Sequence, residues 1–150
     1  MFSRLYMARK YKYINLTKEI VKNMFEECNK LYFNGEVECP TRLETWTPGK
    51  RILGLTRPCV NKRTGKVHAI LHISNRYNWT NETLRHVVVH EMLHMLIKDY
   101  QRPLRWWERI LPFLIKQHDD EFIDKMNELN EEYGLDIKVR FREMRAEFKG

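Results

Sequence analysis

Cysteine is scarce in this chain and never closely spaced: Cys28, Cys39 and Cys59 form no Cys-x-x-Cys pair, which argues against both a zinc ribbon and a disulfide framework. Long apolar runs are missing as well. Nothing approaches the ~20 residues that a membrane-spanning helix needs, and Met1–Tyr13 is basic and aromatic, without the apolar stretch of a secretory signal. The expectation is a soluble chain that stays inside the cell, in the cytoplasm or with the nucleoid or nucleus, with no membrane partner. Glycine/serine linkers, low-complexity tracts and fixed-period repeats are also absent. A length of 150 residues, 43% of them hydrophobic, supplies one core and not two, so residues 1–150 read as a single domain and a monomer.

Acidic residues are missing from one place in particular. Thr45 to Asn81 contains none, yet it holds Lys50, Arg51, Arg57, Lys62, Arg63, Lys66 and Arg76, while the other 20 basic residues offset the 20 acids elsewhere. The whole formal excess of +7 therefore lies in one segment. Such a concentration makes those seven side chains candidate nucleic-acid contacts, set against the commoner role of a solvated basic face. Trp46 and Trp79 lie in the same segment as conceivable base-stacking residues, with burial in the core the more ordinary fate of both.

Hydrophobic spacing outlines an α+β chain. A helix is expected over Thr17–Phe33, capped by Thr17 or Asn15 and stopped by Asn34-Gly35. Strands follow at Thr41–Thr47, Arg51–Arg57 and Lys66–Ser74, separated by Pro48-Gly49 and the Asn61–Gly65 cluster. In the third, Val67, Ala69, Leu71 and Ile73 face one side and His68, Ile70 and His72 the other. Thr80 is placed to cap a second helix reaching Lys98 or Tyr100, with Glu82 near its positive end and enough apolar content to be buried between sheet and helix. Leu104–Lys116 is bulky and apolar and is broken by Pro112. A last helix runs from Asp119 to Tyr133 and stops at Gly134, and Ile137–Phe141 alternates like a strand.

The second helix carries His90-Glu91-Met92-Leu93-His94. Residues four apart on a helix lie one above the other, so two imidazoles converge on one point, which suits a single Zn2+ ion. Glu91, about 100° round the helix, can take a proton from water without being a ligand. Zinc lowers the pKa of water and polarises a carbonyl, so amide hydrolysis finds its needs met together. By chance alone the pattern is expected in roughly one chain of this length in two hundred, and here it also sits inside a capped apolar helix. A catalytic zinc normally takes a third protein donor. His118, just before the last helix, is the choice, with Glu108 the carboxylate alternative. His86 is read as a neighbour or packed histidine, because three ligands along one helix would span about 12 Å. His68 and His72 sit on a strand, where histidines mostly face solvent.

Four pieces in order, Asn29-Lys30-Leu31-Tyr32-Phe33-Asn34-Gly35, Leu71-His72-Ile73-Ser74, His90–His94 and His118-Asp119-Asp120-Glu121-Phe122, resemble the SprT-like family of zinc metallopeptidases, which includes a protease of DNA–protein crosslinks. They span about Leu16 to Tyr133. The resemblance implies a zincin-like domain of minigluzincin type: an N-terminal helix, a small three-stranded sheet, an active-site helix and a backing C-terminal helix. It also implies His90, His94 and His118 as zinc ligands and Glu91 as general base. Two departures stand out. Asp119 replaces the glycine usual after the third histidine, and the connection holding Trp106 and Trp107 is long.

The expectation is a zinc-dependent endopeptidase acting on protein substrates, including proteins bound or crosslinked to DNA, with the substrate extended along an edge strand near His68–Ser74. Tyr100, His86 and backbone N–H groups of the sheet are open choices for an oxyanion donor. One rival is a nucleic-acid-associated accessory protein with a structural metal and little or no proteolysis. Another is an adaptor that exposes Trp106–Phe113 as an anchor.

Overall fold

Thr17 caps the first helix, α1 (Lys18–Tyr32), through its hydroxyl, which accepts the Ile20 N–H at 3.2 Å. The computed structural model describes residues 13–101 and 120–139, together with the backbone of 147–148. Val21, Met24, Phe25 and Cys28 form the buried face of α1, the helical stripe written in its sequence. The helix stops where Asn34 and Gly35 take φ values of 56° and 74°, and the Gly35 N–H closes the turn on the Asn29 carbonyl at 2.9 Å.

The strands form two small sheets among the described residues, where the sequence led us to expect one. In the first, β1 (Tyr13–Ile14), β5 (Tyr77–Thr80) and β6 (Glu147–Phe148) lie in the order β1-β5-β6. In the second, β2 (Arg42–Glu44), β3 (Gly54–Val60) and β4 (Val67–Ile73) lie in the order β2-β4-β3, with β2 parallel and β3 antiparallel to β4. The strand expected at Arg51–Arg57 thus starts later, because Gly49–Ile52 is a turn: the Thr47 hydroxyl lies 3.0 and 2.9 Å from the Gly49 and Ile52 carbonyls. Pro58 is tolerated within β3 because an edge strand can spare an N–H. The expected edge at His68–Ser74 is a correction in its own right. β4 is hydrogen-bonded on both sides, so among the described residues the edges of this sheet are β2 and β3.

One face of this sheet carries Ala69, Leu71 and Ile73, with Leu43 and Thr56 paired across from Leu71. The opposite face carries His68, Ile70 and His72. His72 does not face solvent as expected of a strand histidine but is fully buried. Its Nδ1–H donates to the Trp46 carbonyl at 2.9 Å, and the Trp46 ring stands edge-on with centroids 4.7 Å apart. Burial holds the imidazole below the ordinary histidine pKa, keeping it neutral. Trp46 itself is 47% exposed, contrary to the core role expected for it. Trp79 is buried, its Nε1–H donating to the Ser74 carbonyl at 2.7 Å, which removes it as a stacking residue.

The second helix, α2 (Asn81–Ile97), begins at a reciprocal cap: the Thr83 N–H donates to the Thr80 hydroxyl at 3.1 Å and the Thr80 N–H to the Thr83 hydroxyl at 2.9 Å. It ends at Lys98, whose φ of 55° turns the chain into a 3-10 turn at Asp99–Gln101. Leu84, Val87, Val88, Val89, Met92 and Leu93 are all buried, as expected for a helix packed between α1, β3 and the last helix, α3 (Asp120–Tyr133). Each such side chain contributes about 1.5–3 kcal/mol. α3 turns Phe122, Met126 and Leu129 inward and stops at Gly134, where φ is 64°. The strand expected at Ile137–Phe141 is not formed over 137–139, because side chains take up the backbone groups there; residues 140 and 141 lie outside the described residues. No described helix is long and apolar enough to cross a membrane.

The close seat of β3 on α2 depends on Gly54. A β-carbon there would stand 2.6 Å from Val87 Cγ1 and 3.4 Å from Glu91 Cγ. Val87 is β-branched and fully buried, so it cannot swing aside. Gly54→Ala should therefore cost about 1–3 kcal/mol, the usual range for overpacking a core, seen as a lower urea midpoint. A variant as stable as the parent would mean that β3 and α2 are not held this closely.

Candidate metal centre

His90, Glu91 and His94 come together on α2, with one ligand atom from each lying within 4.8 Å of the others. His90 and Glu91 are buried and His94 is partly so. The imidazole centroids are 5.2 Å apart. The Phe122 ring, from the first turn of α3, lies against both: its centroid is 4.9 Å from that of His90 and, stacked, 4.4 Å from that of His94.

Each imidazole is held at Nδ1. His90 Nδ1 lies 2.8 Å from the Lys138 carbonyl and His94 Nδ1 lies 2.6 Å from Asp99 Oδ2. A carbonyl and a carboxylate can only accept, so both rings donate from Nδ1, which makes Nε2 the atom that would ligate a metal in the neutral ring. The αL residue Lys98 is what brings Asp99 back to His94.

Glu91 is clasped from the sheet. Its Oε2 accepts from the Thr56 hydroxyl at 2.7 Å, and the absent side chain at Gly54 leaves room for Oε1, which lies 3.5 Å from where a β-carbon would stand. Burial raises the carboxyl pKa above the ordinary glutamate range, opposed by the charge of His94 and the hydrogen bond from Thr56. A divalent cation beside it would draw the carboxyl back towards its ionised form.

His118 and its alternative Glu108 lie outside the described residues, as do Trp106, Trp107 and the rest of the Leu104–Lys116 stretch. His68 and His72 lie on the sheet face opposite Thr56, which takes them away from Glu91. His86 accepts the Lys138 N–H at Nε2 at 2.8 Å, so that nitrogen is no oxyanion donor, and burial keeps the ring's pKa low. Tyr100 is half-buried in the 3-10 turn, its hydroxyl pKa raised by burial and then by Glu38. Cys28 is buried, its thiol pushed up to about 12 by burial, which leaves it no nucleophile. Clefts of about 300 and 460 Å3 line α1, the first beside Asn29 and Asn34 and the second beside Lys22 and Arg42; neither includes the histidine pair.

The seven basic residues are all exposed. They do not make one cluster. Lys50 and Arg51 sit in the turn before β3, where the Lys50 carbonyl accepts from Tyr77 beside Arg76, and Lys62, Arg63 and Lys66 sit at the opposite end of the sheet, on the β3–β4 hairpin. A seven-residue strand puts about 20 Å between those ends. Arg57 lies between them on the outer face, paired across from Ile70.

Asp99, Thr56, Gly54 and the Lys138 carbonyl were missed in the sequence. Asp99 could have been found, since a carboxylate five residues past the second histidine is a natural partner for it. The others depend on which strand and which loop pack on α2. Comparison of the chain with protein-family models and with curated proteins gives no match.

Proposed function

We propose that the protein is a zinc-dependent metalloendopeptidase, a zincin-like domain of the SprT-like type, that hydrolyses protein substrates. The observation that carries this reading is the pairing on one helix of two Nδ1-anchored imidazoles with a buried carboxylate one residue from the first. A structural zinc site usually closes with four ligands rich in cysteine, and among the described residues no cysteine joins the cluster. Zinc, when bound, supplies Lewis acidity towards a carbonyl and acidifies water.

The residues divide the remaining work. His90 and His94 would hold the ion, and His118 would complete the set; Phe122, four residues on in the sequence, rests on both imidazoles. Thr56 holds one oxygen of Glu91 and leaves the carboxylate aimed as a base that takes the proton of the attacking water and passes it to the departing amine. A substrate strand would add to the edge of β3, the strand that also carries Thr56.

A nucleic-acid component rests on a separate observation. On the sheet face away from Glu91, exposed Trp46 and Arg57 stand beside the buried Ile70 and His72, between two basic ends about 20 Å apart; they would supply a stacking surface and a cation for a single strand. Proteins bound or crosslinked to DNA are thus the substrates this reading favours.

The test is zinc analysis of the purified chain, followed by cleavage of a basic DNA-binding protein with and without single-stranded DNA. Stoichiometric zinc and cleavage lost on chelation are expected, with stimulation by DNA that falls steeply with salt. Zinc without any cleavage would favour the accessory-protein reading, and cleavage indifferent to DNA would remove the nucleic-acid component alone.

A further inference from the structure

The two imidazoles are anchored by different means. His94 is held locally, by Asp99 five residues on. His90 is held by a backbone carbonyl 48 residues away, in a segment with no helix or strand of its own. A carbonyl in an irregular segment orients a ligand only if something else fixes that segment.

Two side chains do so. The Lys138 N–H donates to His86 Nε2 at 2.8 Å while its carbonyl receives the His90 Nδ1–H at 2.8 Å. His86 and His90 are one turn apart on the same face of α2, about 6 Å along the axis, so they grip the two polar groups of a single residue. One position earlier, Asn130 of α3 closes on Ile137: the Ile137 N–H donates to Asn130 Oδ1 at 2.8 Å and Asn130 Nδ2 donates to the Ile137 carbonyl at 3.1 Å. Four consecutive backbone groups, which would otherwise need a strand or water, are thus committed to side chains of α2 and α3. Ile137 is buried, which seats the same segment on the core.

We infer that His86 and Asn130 are positioning residues of the metal centre, acting through the Lys138 peptide to fix the Nδ1–H tautomer and the orientation of His90. The inference rests on reading His90 and His94 as metal ligands, and it assigns His86 a task that its place on the helix alone does not reveal. If His86 accepts the Lys138 N–H, glutamine can do the same through Oε1, whereas leucine cannot. Asn130→Leu removes both bonds to Ile137 at little change in volume.

Zinc affinity of the full chain, by competition with a chromophoric chelator, is the first readout. His86→Leu and Asn130→Leu should each weaken it about 10- to 100-fold, the range for loss of a group that orients a ligand, and His86→Gln should restore it. The second readout needs no metal. Nitrogen-15 spectra of the metal-free parent should show His90 as the Nδ1–H tautomer, and in His86→Leu a mixture of tautomers. Leucine variants with parental zinc affinity would overturn the inference, and so would a parent whose His90 carries its proton on Nε2, an outcome readable even if a variant fails to fold. A parent that takes up no zinc would refute the metal centre itself, and the metal-free spectrum tells that result apart from failure of the clamp.

Discussion

Glu91→Gln should keep its zinc and lose about 10^2- to 10^4-fold in peptidase rate, the contribution expected of a positioned general base. The substitution is close to a pure change of proton affinity. Glutamine has the same shape, and its amide oxygen can accept the Thr56 hydroxyl bond that the carboxylate accepts at 2.7 Å. It also removes an acid that burial has driven above its ordinary pKa. In the metal-free protein that raised pKa means the folded state binds the proton more readily than the unfolded chain, so stability falls as pH rises from the unfolded glutamate value through the folded one. Glutamine abolishes that loss, and the metal-free variant should melt no lower than the parent at pH 7. Zinc content, melting temperature and turnover measured together separate the alternatives. If zinc departs with the activity, Glu91 is a ligand and not the base; if turnover survives, Glu91 is not the general base.

Much of the helical framework could be read from the chain because its signals are local. Thr17 and Thr80 cap the two helices they were expected to cap, and Asn34, Gly35 and Gly134 adopt the left-handed turns that end helices. The spacing of His90 and His94 needed only the helix to exist. Strand order was another matter, since alternation tells which residues share a face but not which strand lies in the middle. β4 was expected at an edge for that reason. The short parallel strand β2 pairs with its far side, and nothing in Arg42-Leu43-Glu44 announces it. His72 was assigned to the correct face and the wrong environment, because its cover is Trp46, a residue 26 positions away. The groups that orient the site were the least legible. Lys138 contributes a carbonyl, which every residue has, and Gly54 contributes the lack of a side chain beside Glu91.

Removing zinc should lower the melting temperature of the parent, and the size of that change can identify the third donor. Zinc binding only the folded state stabilises it by RT ln(1 + [Zn]/Kd), about 2.7 kcal/mol at a hundredfold excess over Kd. For a chain of this size that corresponds to roughly 5–10 °C. His94→Ala should abolish the shift outright, since it removes a ring that Asp99 and Phe122 hold in place. His118→Ala is the decisive variant. The contact of Phe122 with both imidazoles brings the start of α3 to the centre, which makes the histidine just before that helix in the sequence the donor to test. Loss of it should weaken zinc binding by more than the roughly 10- to 100-fold that removal of an orienting partner costs, and an Asp99→Asn variant supplies that lower benchmark in the same assay. If His118→Ala binds zinc no worse than Asp99→Asn, the third donor is another side chain. Glu91→Gln and Glu108→Gln then compete for the role, and only Glu91 would couple loss of affinity to relief of a buried charge against Thr56.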